Sequence, residues 1–262
     1  MDKVNFSTVT EITGNNVTQE QIQRMVTRYL FAAEFCGGKD VLEVACGTGQ
    51  GLGLLAKRAG HVTGGDIDEN ILSKARHHYK GRNNVALKAL DAHKLEFSDG
   101  SFDVVVLYEA IYYLSHPEKF ISEAMRVLRK DGILLISTAN KELPDFNPSP
   151  YSHQYFSAKE LFNLLARNGF TRIDLFGDCL IKTGSMKNSI VSFIKKTAVS
   201  LHLIPKTMKG KELFKRMFFG KLRPLPPELE EGTAEYARPV PVSSNLRNNS
   251  YKVIFATARK KG

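Results

Sequence analysis

The 262-residue sequence predicts an α/β fold with a doubly wound, mostly parallel sheet, on three observations. Short apolar runs alternate with stretches of helical spacing between residues 20 and 140, the pattern of strands joined by crossover helices. The first run, Val41-Leu42-Glu43-Val44, leads into glycines at 47, 49, 51 and 53 and then into an apolar helix start. In an open sheet such a turn sits at the carboxyl end of a strand, where ligands bind and where glycine admits close backbone approach. The third observation is size: with 42% hydrophobic residues, the chain can bury one full α/β core and still carry an appendage.

Taken in order, residues 1–18 are polar and read as a loose lead-in. Residues 19–35 place Ile22, Met25, Val26, Tyr29, Leu30 and Ala33 at helical spacing, giving an amphipathic helix. Arg28 and Tyr29 on it either pack or close a ligand pocket. The glycine turn follows. It is not the dinucleotide fingerprint G-x-G-x-x-G, because Leu52 and Leu54 stand where a glycine is needed, and no Gly-Lys-Ser/Thr phosphate loop is near.

Residues 61–65 form a second strand ending at Asp66, with Asp68 as the N-cap of a helix over 69–79. Asp66 falls about 20 residues beyond the turn, where a carboxylate can accept from ribose hydroxyls. Residues 85–89 are the third strand and precede Asp91 and Ala92. Residues 102–107 are the fourth, ending at Tyr108, Glu109, Tyr112 and Tyr113, a mouth that shapes a pocket, orients a hydroxyl or simply packs. Pro117 opens a helix, and residues 133–137 make the fifth strand. The loop over 140–150 is too long for a bare connector and brings Tyr151 and His153. Ser157 and Glu160 form a capping box for a helix ended by Gly169, and residues 170–176 are the sixth strand. The last strand covers 250–258.

The pattern Glu43-x-Ala45-x-Gly47-x-Gly49 resembles the first motif of the class I S-adenosylmethionine-dependent methyltransferases, with Ala45 at the first glycine position. Phe102-Asp103-Val104-Val105-Val106 is similar to that family's fourth strand. The run Glu-Ala-Met-Arg-Val-Leu-Arg-Lys-Asp-Gly-Ile-Leu-Leu-Ile-Ser, residues 123–137, is similar to its fourth helix, turn and fifth strand. The resemblance thus covers most of residues 20–140. It implies a Rossmann-like seven-stranded sheet, its last strand antiparallel beside the sixth, with S-adenosyl-L-methionine as cofactor and S-adenosyl-L-homocysteine as product. The cofactor set it implies is Glu43, Ala45, Gly47 and Gly49 in the turn, Asp66 and Ile67 at the ribose, Asp91 and Ala92 at the adenine, and Tyr108 at the fourth strand's end. Arg28-Tyr29-Leu30-Phe31-Ala32 and the loop through Tyr151 and His153 look like the methyltransferases that accompany polysaccharide and sugar biosynthesis.

The expected reaction is methyl transfer to a small-molecule, glycan or lipid-linked hydroxyl, with oxygen favoured over nitrogen. His153 is the first candidate base, since imidazole titrates near neutrality, and Glu109 the second. His153 could instead only hydrogen-bond its loop. Tyr112, Tyr113 and Tyr151 are candidate pocket residues. No Cys/His cluster has metal-ligand spacing, so no metal is expected.

Charge is divided unevenly. Residues 178–262 hold 17 Lys and Arg against 6 Asp and Glu, whereas residues 1–177 hold 20 and 21. The expected organisation is a core over 1–177, a basic amphipathic lid inserted at 178–245, and a final core strand within 246–262. Residues 190–204 and 212–222 interleave apolar and basic positions at helical spacing. Such helices either cover the site or rest on an anionic membrane surface. Residues 224–231 read as a surface loop. Three scattered cysteines and the lack of a signal-like or spanning apolar run point to a cytoplasmic setting, peripheral to a membrane if the lid binds one. Two other classes remain: a nucleic-acid methyltransferase using the basic third, disfavoured by the lack of a nucleic-acid motif, and a non-catalytic nucleotide-binding module.

Overall fold

A computed structural model describes residues 10–181 and 222–262. The chain opens with β1 (Asn16–Val17) and α1 (Gln19–Ala33), whose start is set by a capping box: the Thr18 hydroxyl accepts from the Gln21 amide, and the Gln21 side chain accepts from the Thr18 amide. β2 (Asp40–Val44), α2 (Leu52–Ala56), β3 (His61–Asp66), α3 (Glu69–His78) and β4 (Val85–Ala89) form the first half. β5 (Phe102–Tyr108), a 3-10 turn (Ile111–Tyr113), α4 (Pro117–Val127), β6 (Leu128–Ala139), α5 (Ala158–Arg167) and β7 (Thr171–Leu180) form the second. Two-residue strands β8 (Arg223–Pro224) and β9 (Val240–Pro241) precede β10 (Tyr251–Arg259).

The main sheet runs β4-β3-β2-β5-β6-β10-β7-β9. β2 pairs in parallel with β3 on one side and β5 on the other, so the chain reverses its direction across the sheet at β2 and the turn after β2 lies at the switch point. β10 is antiparallel to both β6 and β7, as expected for the last strand.

Strand alternation feeds two cores. Val41, Val104, Val106, Ile133, Leu135, Val253 and Phe255 face α1, α2 and α3. Leu42, Val44, Val105, Leu107, Leu134, Ile136 and Ile254 face α4 and α5. Phe31 of α1 anchors the first core, its ring edge-on to Phe35, Phe176 and Phe255 with centroids 5.2–5.5 Å away.

Several elements differ from expectation. The fifth strand starts at Leu128, directly on the end of α4, because Asp131 takes a left-handed φ of 61° that lets the chain turn without leaving the sheet. Arg129 in this stretch bridges Asp40 at 2.8 Å and Asp103 at 2.5 Å, tying β2, β5 and β6 together. The lead-in is not loose where it is described: β1 pairs antiparallel with β8, and Val17 is fully buried. Residues 224–231 are not merely a surface loop, since Leu225 and Leu229 are buried in the first core. The sheet has eight strands rather than seven, the extra one being the two-residue β9 on the β7 edge.

The strand β7 continues through residues 178–180, and within 222–245 Leu225 and Leu229 join the first core, whereas the expected lid helix over 190–204 and most of that over 212–222 lie outside the described residues. No helix among the described residues is long and apolar enough to cross a membrane.

Candidate active site

The turn after β2 departs from ordinary backbone at three positions: Ala45, Gly47 and Gly49 adopt φ of 58°, 60° and 77°. Alanine in this region costs about 1–2 kcal/mol, so the glycine-to-alanine departure at 45 is tolerated at a strain cost. At Gly47 a Cβ would meet only the Thr10 methyl, at 3.7 Å. Gly51 serves packing instead. Its φ is an ordinary −97°, yet a Cβ there would lie 2.0 Å from the Tyr29 ring.

Tyr29 reaches past Gly51 and donates to Glu43 Oε1 at 2.7 Å. Glu43 is 1% exposed, and its Oε2 is buried without a hydrogen-bond partner. Burial pushes the carboxyl up to about 8, against the lowering effect of the Tyr29 bond. At the end of β3, Asp66 accepts from the Gly47 amide through Oδ2 and from the Asp68 amide through Oδ1, both at 2.9 Å. Asp66 therefore joins the ends of β2 and β3 while keeping lone pairs for further donors. Burial raises its pKa despite these backbone bonds. Ile67 beside it leaves an apolar side chain 60% exposed. Asp68 caps α3 as expected, accepting from the Asn70 amide at 3.0 Å.

Beyond β4, Asp91 accepts from the His93 amide at 2.8 Å and from His93 Nδ1 at 2.7 Å, and Ala92 is buried. Partial burial would raise the Asp91 pKa, but the bonds and charge from His93 bring it below its ordinary value.

At the end of β5, Tyr108 turns toward α1, packed edge-on between Tyr29 and Phe255 with centroids 5.9 Å from each. Glu109 follows with a left-handed φ of 52°, and its amide donates to the Ser137 carbonyl. Its carboxylate is held from two sides, by Arg28 at 3.5 Å and by the Tyr112 hydroxyl at 3.1 Å. Tyr112 stacks on Tyr155 at 4.4 Å, and the Tyr113 hydroxyl contacts Ser149 Oγ at 2.7 Å. The loop after β6 is thereby bound to the mouth. Within it Tyr151 is exposed, with a left-handed φ of 66°, and His153 is tied by its backbone amide to the Tyr112 carbonyl at 2.8 Å while its ring faces solvent.

The structure thus gathers Glu43, Ala45, Gly47, Gly49 and Asp66 tightly and places Asp91 and Ala92 along the same sheet edge. Sequence reasoning missed the lead-in: Thr13 bonds Thr48 through its amide and hydroxyl, and Gln50 Nε2 donates to the Glu11 carbonyl, so residues 11–13 pack against the turn. It also missed Tyr79, whose hydroxyl donates to the Gly49 carbonyl and accepts from the Gly53 amide. Tyrosine at a helix end carries no sequence signal for this. Among the described residues no group of three or more His, Cys, Asp or Glu could hold a metal ion.

A sheet of this order, with an antiparallel strand inserted next to its end and a left-handed glycine turn at the switch point, defines the class I methyltransferase fold. Residues 42–136 match the methyltransferase domain family. A Mycolicibacterium smegmatis protein named "Probable S-adenosylmethionine-dependent methyltransferase" is 36% identical over 155 residues, 57% of this chain and 58% of the relative. The ubiquinone biosynthesis O-methyltransferase of Coxiella burnetii is 29% identical over 131 residues, 50% of this chain and 54% of the relative. This chain therefore spans little more than half the length of these curated relatives. A crystal structure of a Thermotoga maritima S-adenosylmethionine-dependent methyltransferase shares the fold, with TM-score 0.58, 17% identity and 92% of each chain covered.

The Mycolicibacterium smegmatis relative is named as S-adenosylmethionine-dependent, and the residues present here fit that cofactor. The orphaned Glu43 oxygen beside an open glycine turn suits a ligand with cationic groups, the Asp66 carboxylate has free lone pairs for hydroxyl donors, and Ile67 offers an apolar face next to it.

Proposed function

We propose that the protein transfers a methyl group from S-adenosylmethionine to a hydroxyl of a small-molecule or glycan-type acceptor. The observation that carries this reading is Glu109: a carboxylate set at the switch-point edge by a left-handed backbone and clamped by Arg28 and Tyr112, next to the turn. In the proposed assignment Glu43, Ala45, Gly47 and Gly49 cradle the methionine end of the cofactor. Asp66 and Ile67 hold the ribose and one adenine face, and Asp91 with the Ala92 amide holds the adenine amino group. Tyr108 acts from behind, fixing Tyr29 and through it Glu43.

When held by Glu43, the glycine turn and Asp66, the cofactor would supply an electrophilic methyl carbon on a sulfonium, with a neutral thioether as the leaving group for the acceptor oxygen. The protein's part is alignment and exclusion of water, which can contribute about 7–11 kcal/mol. Glu109 takes the hydroxyl proton, while Tyr112, Tyr113 and Tyr151 shape the acceptor's approach. Its fixed carboxylate favours Glu109 over His153, whose ring faces solvent and whose place is set only through the backbone. The named activity of the Coxiella burnetii relative, an O-methyltransferase, supports oxygen over nitrogen.

The test is a direct titration with S-adenosylmethionine, followed by mass spectrometry for S-adenosylhomocysteine after incubation with a cell extract, untreated or nuclease-digested. Binding with nuclease-resistant product is the expected result. Product lost on nuclease treatment would favour a nucleic-acid acceptor, and binding without product a nucleotide-binding module. The basic excess of residues 178–262 further supports contact with an anionic membrane, which flotation with acidic vesicles checks; no flotation at low salt sinks that idea.

A further inference from the structure

Arg24 and Arg28 lie one turn apart on α1, over the edge where β5 and β7 end. Both side chains are deep: the Arg28 side chain is 12% exposed, and the Nε of each arginine is buried without a hydrogen-bond partner. A buried guanidinium donor left unbonded is costly, and proteins seldom leave two side by side. The neighbouring acids balance the charge without satisfying these donors. Glu20 is engaged by Lys252 at 2.6 Å and by the Cys179 thiol, and Glu11 accepts from Gln21. Glu109 shares itself between Tyr112 and a 3.5 Å contact with Arg28. Asp178, also near both arginines, is pushed toward its neutral form by burial.

Side chains at i and i+4 stand about 5–6 Å apart at Cβ, a separation one oxyanion can span between two guanidinium groups. We propose that Arg24 and Arg28 form an anion clamp that binds a carboxylate or phosphate group of the methyl acceptor, holding its hydroxyl near Glu109. The clamp rests on the methyl-transfer reading only for its role in turnover; its anion binding stands on the two arginines alone. Placing the charged group on α1 leaves Glu109 free to face the hydroxyl rather than its own cation, and makes an acid group the mark by which acceptors are selected.

The experiment titrates the full chain, with and without S-adenosylhomocysteine, with inorganic phosphate and separately with benzoate at low ionic strength by calorimetry. Wild type is expected to bind one of the two saturably, and the preferred one tells phosphate from carboxylate. Arg24→Gln and Arg28→Gln should each weaken that binding at least tenfold while leaving S-adenosylhomocysteine affinity within twofold. Arg24→Lys and Arg28→Lys, which keep the charge but lose the planar fork, should retain the fold and bind the anion at least threefold more weakly, and they carry the test if a glutamine variant does not fold. No saturable binding of either anion to folded wild type, or wild-type binding in the folded variants, overturns the clamp. Loss of S-adenosylhomocysteine binding with arginine-dependent anion binding intact would instead overturn the methyl-donor reading.

Discussion

Glu43 shows how one buried residue couples folding to protonation. Its carboxyl, ordinarily ionised above pH 4.5, is held up to about 8 in the folded protein. Between these values the folded state binds the extra proton and the unfolded state does not, so stability falls as pH rises through this window, with a slope of up to about 1.4 kcal/mol per pH unit. Glu43→Gln removes the titration. We expect thermal melts of this variant to lose the decline between pH 5 and pH 8, and its melting temperature at pH 8 to equal or exceed that of wild type. A second prediction at this scale separates the two candidate bases. Glu109→Gln should lower kcat by about 10²–10⁴ with cofactor affinity retained, the range of a lost general base. His153→Gln should leave kcat within a few-fold. A reversal, measured by S-adenosylhomocysteine release, would move the base to the loop.

Individual elements reach into one another at the glycine turn. Gly51 and Tyr29 are the clearest pair, since the turn could not pass under α1 with a side chain at 51. Gly51→Ala is compatible with its backbone angles and so isolates packing. It should destabilise the protein by about 1–3 kcal/mol, read by chemical denaturation, and weaken cofactor binding by displacing Tyr29 from Glu43. Glu228 plays a comparable part on the other side. Its carboxylate occupies the space a Cβ on Gly53 would take, meets Arg82 at 2.8 and 3.1 Å and His78 at 2.8 Å, and with the Leu229 amide bonded to the Gln50 carbonyl fastens residues 228–229 to α2 and α3. A Pro- and Glu-rich stretch reads as solvated loop; it is instead a strap, because Leu225 and Leu229 supply the apolar anchors.

For the whole molecule, the proposed cofactor site draws on three strand ends, the lead-in and the strap, so ligand binding should be felt globally. S-adenosylhomocysteine at 100 times its Kd should raise unfolding free energy by about 2.7 kcal/mol, seen as one upward shift of the entire transition. A shift confined to one of two transitions would show that the site is not shared by the whole core.

The succession of elements was legible in the sequence because strand and helix periodicities are local, and caps such as Asp68 and Ser157 are written within four residues of the helices they start. The turn was legible for the same reason: spacing alone separates Glu43-x-Ala45-x-Gly47-x-Gly49 from dinucleotide and phosphate loops. What tertiary structure decided is which residues meet across distance. Tyr29 with Gly51, Asp66 with the Gly47 amide, Arg28 with Glu109, and β1 with β8 are separated by 19 to about 200 positions and leave no periodic trace. Arg24 and Arg28 make the point most sharply. The sequence left Arg28 either to pack or to close a ligand pocket and did not single out Arg24; only the sheet edge folded beneath α1 makes the two a buried pair of donors.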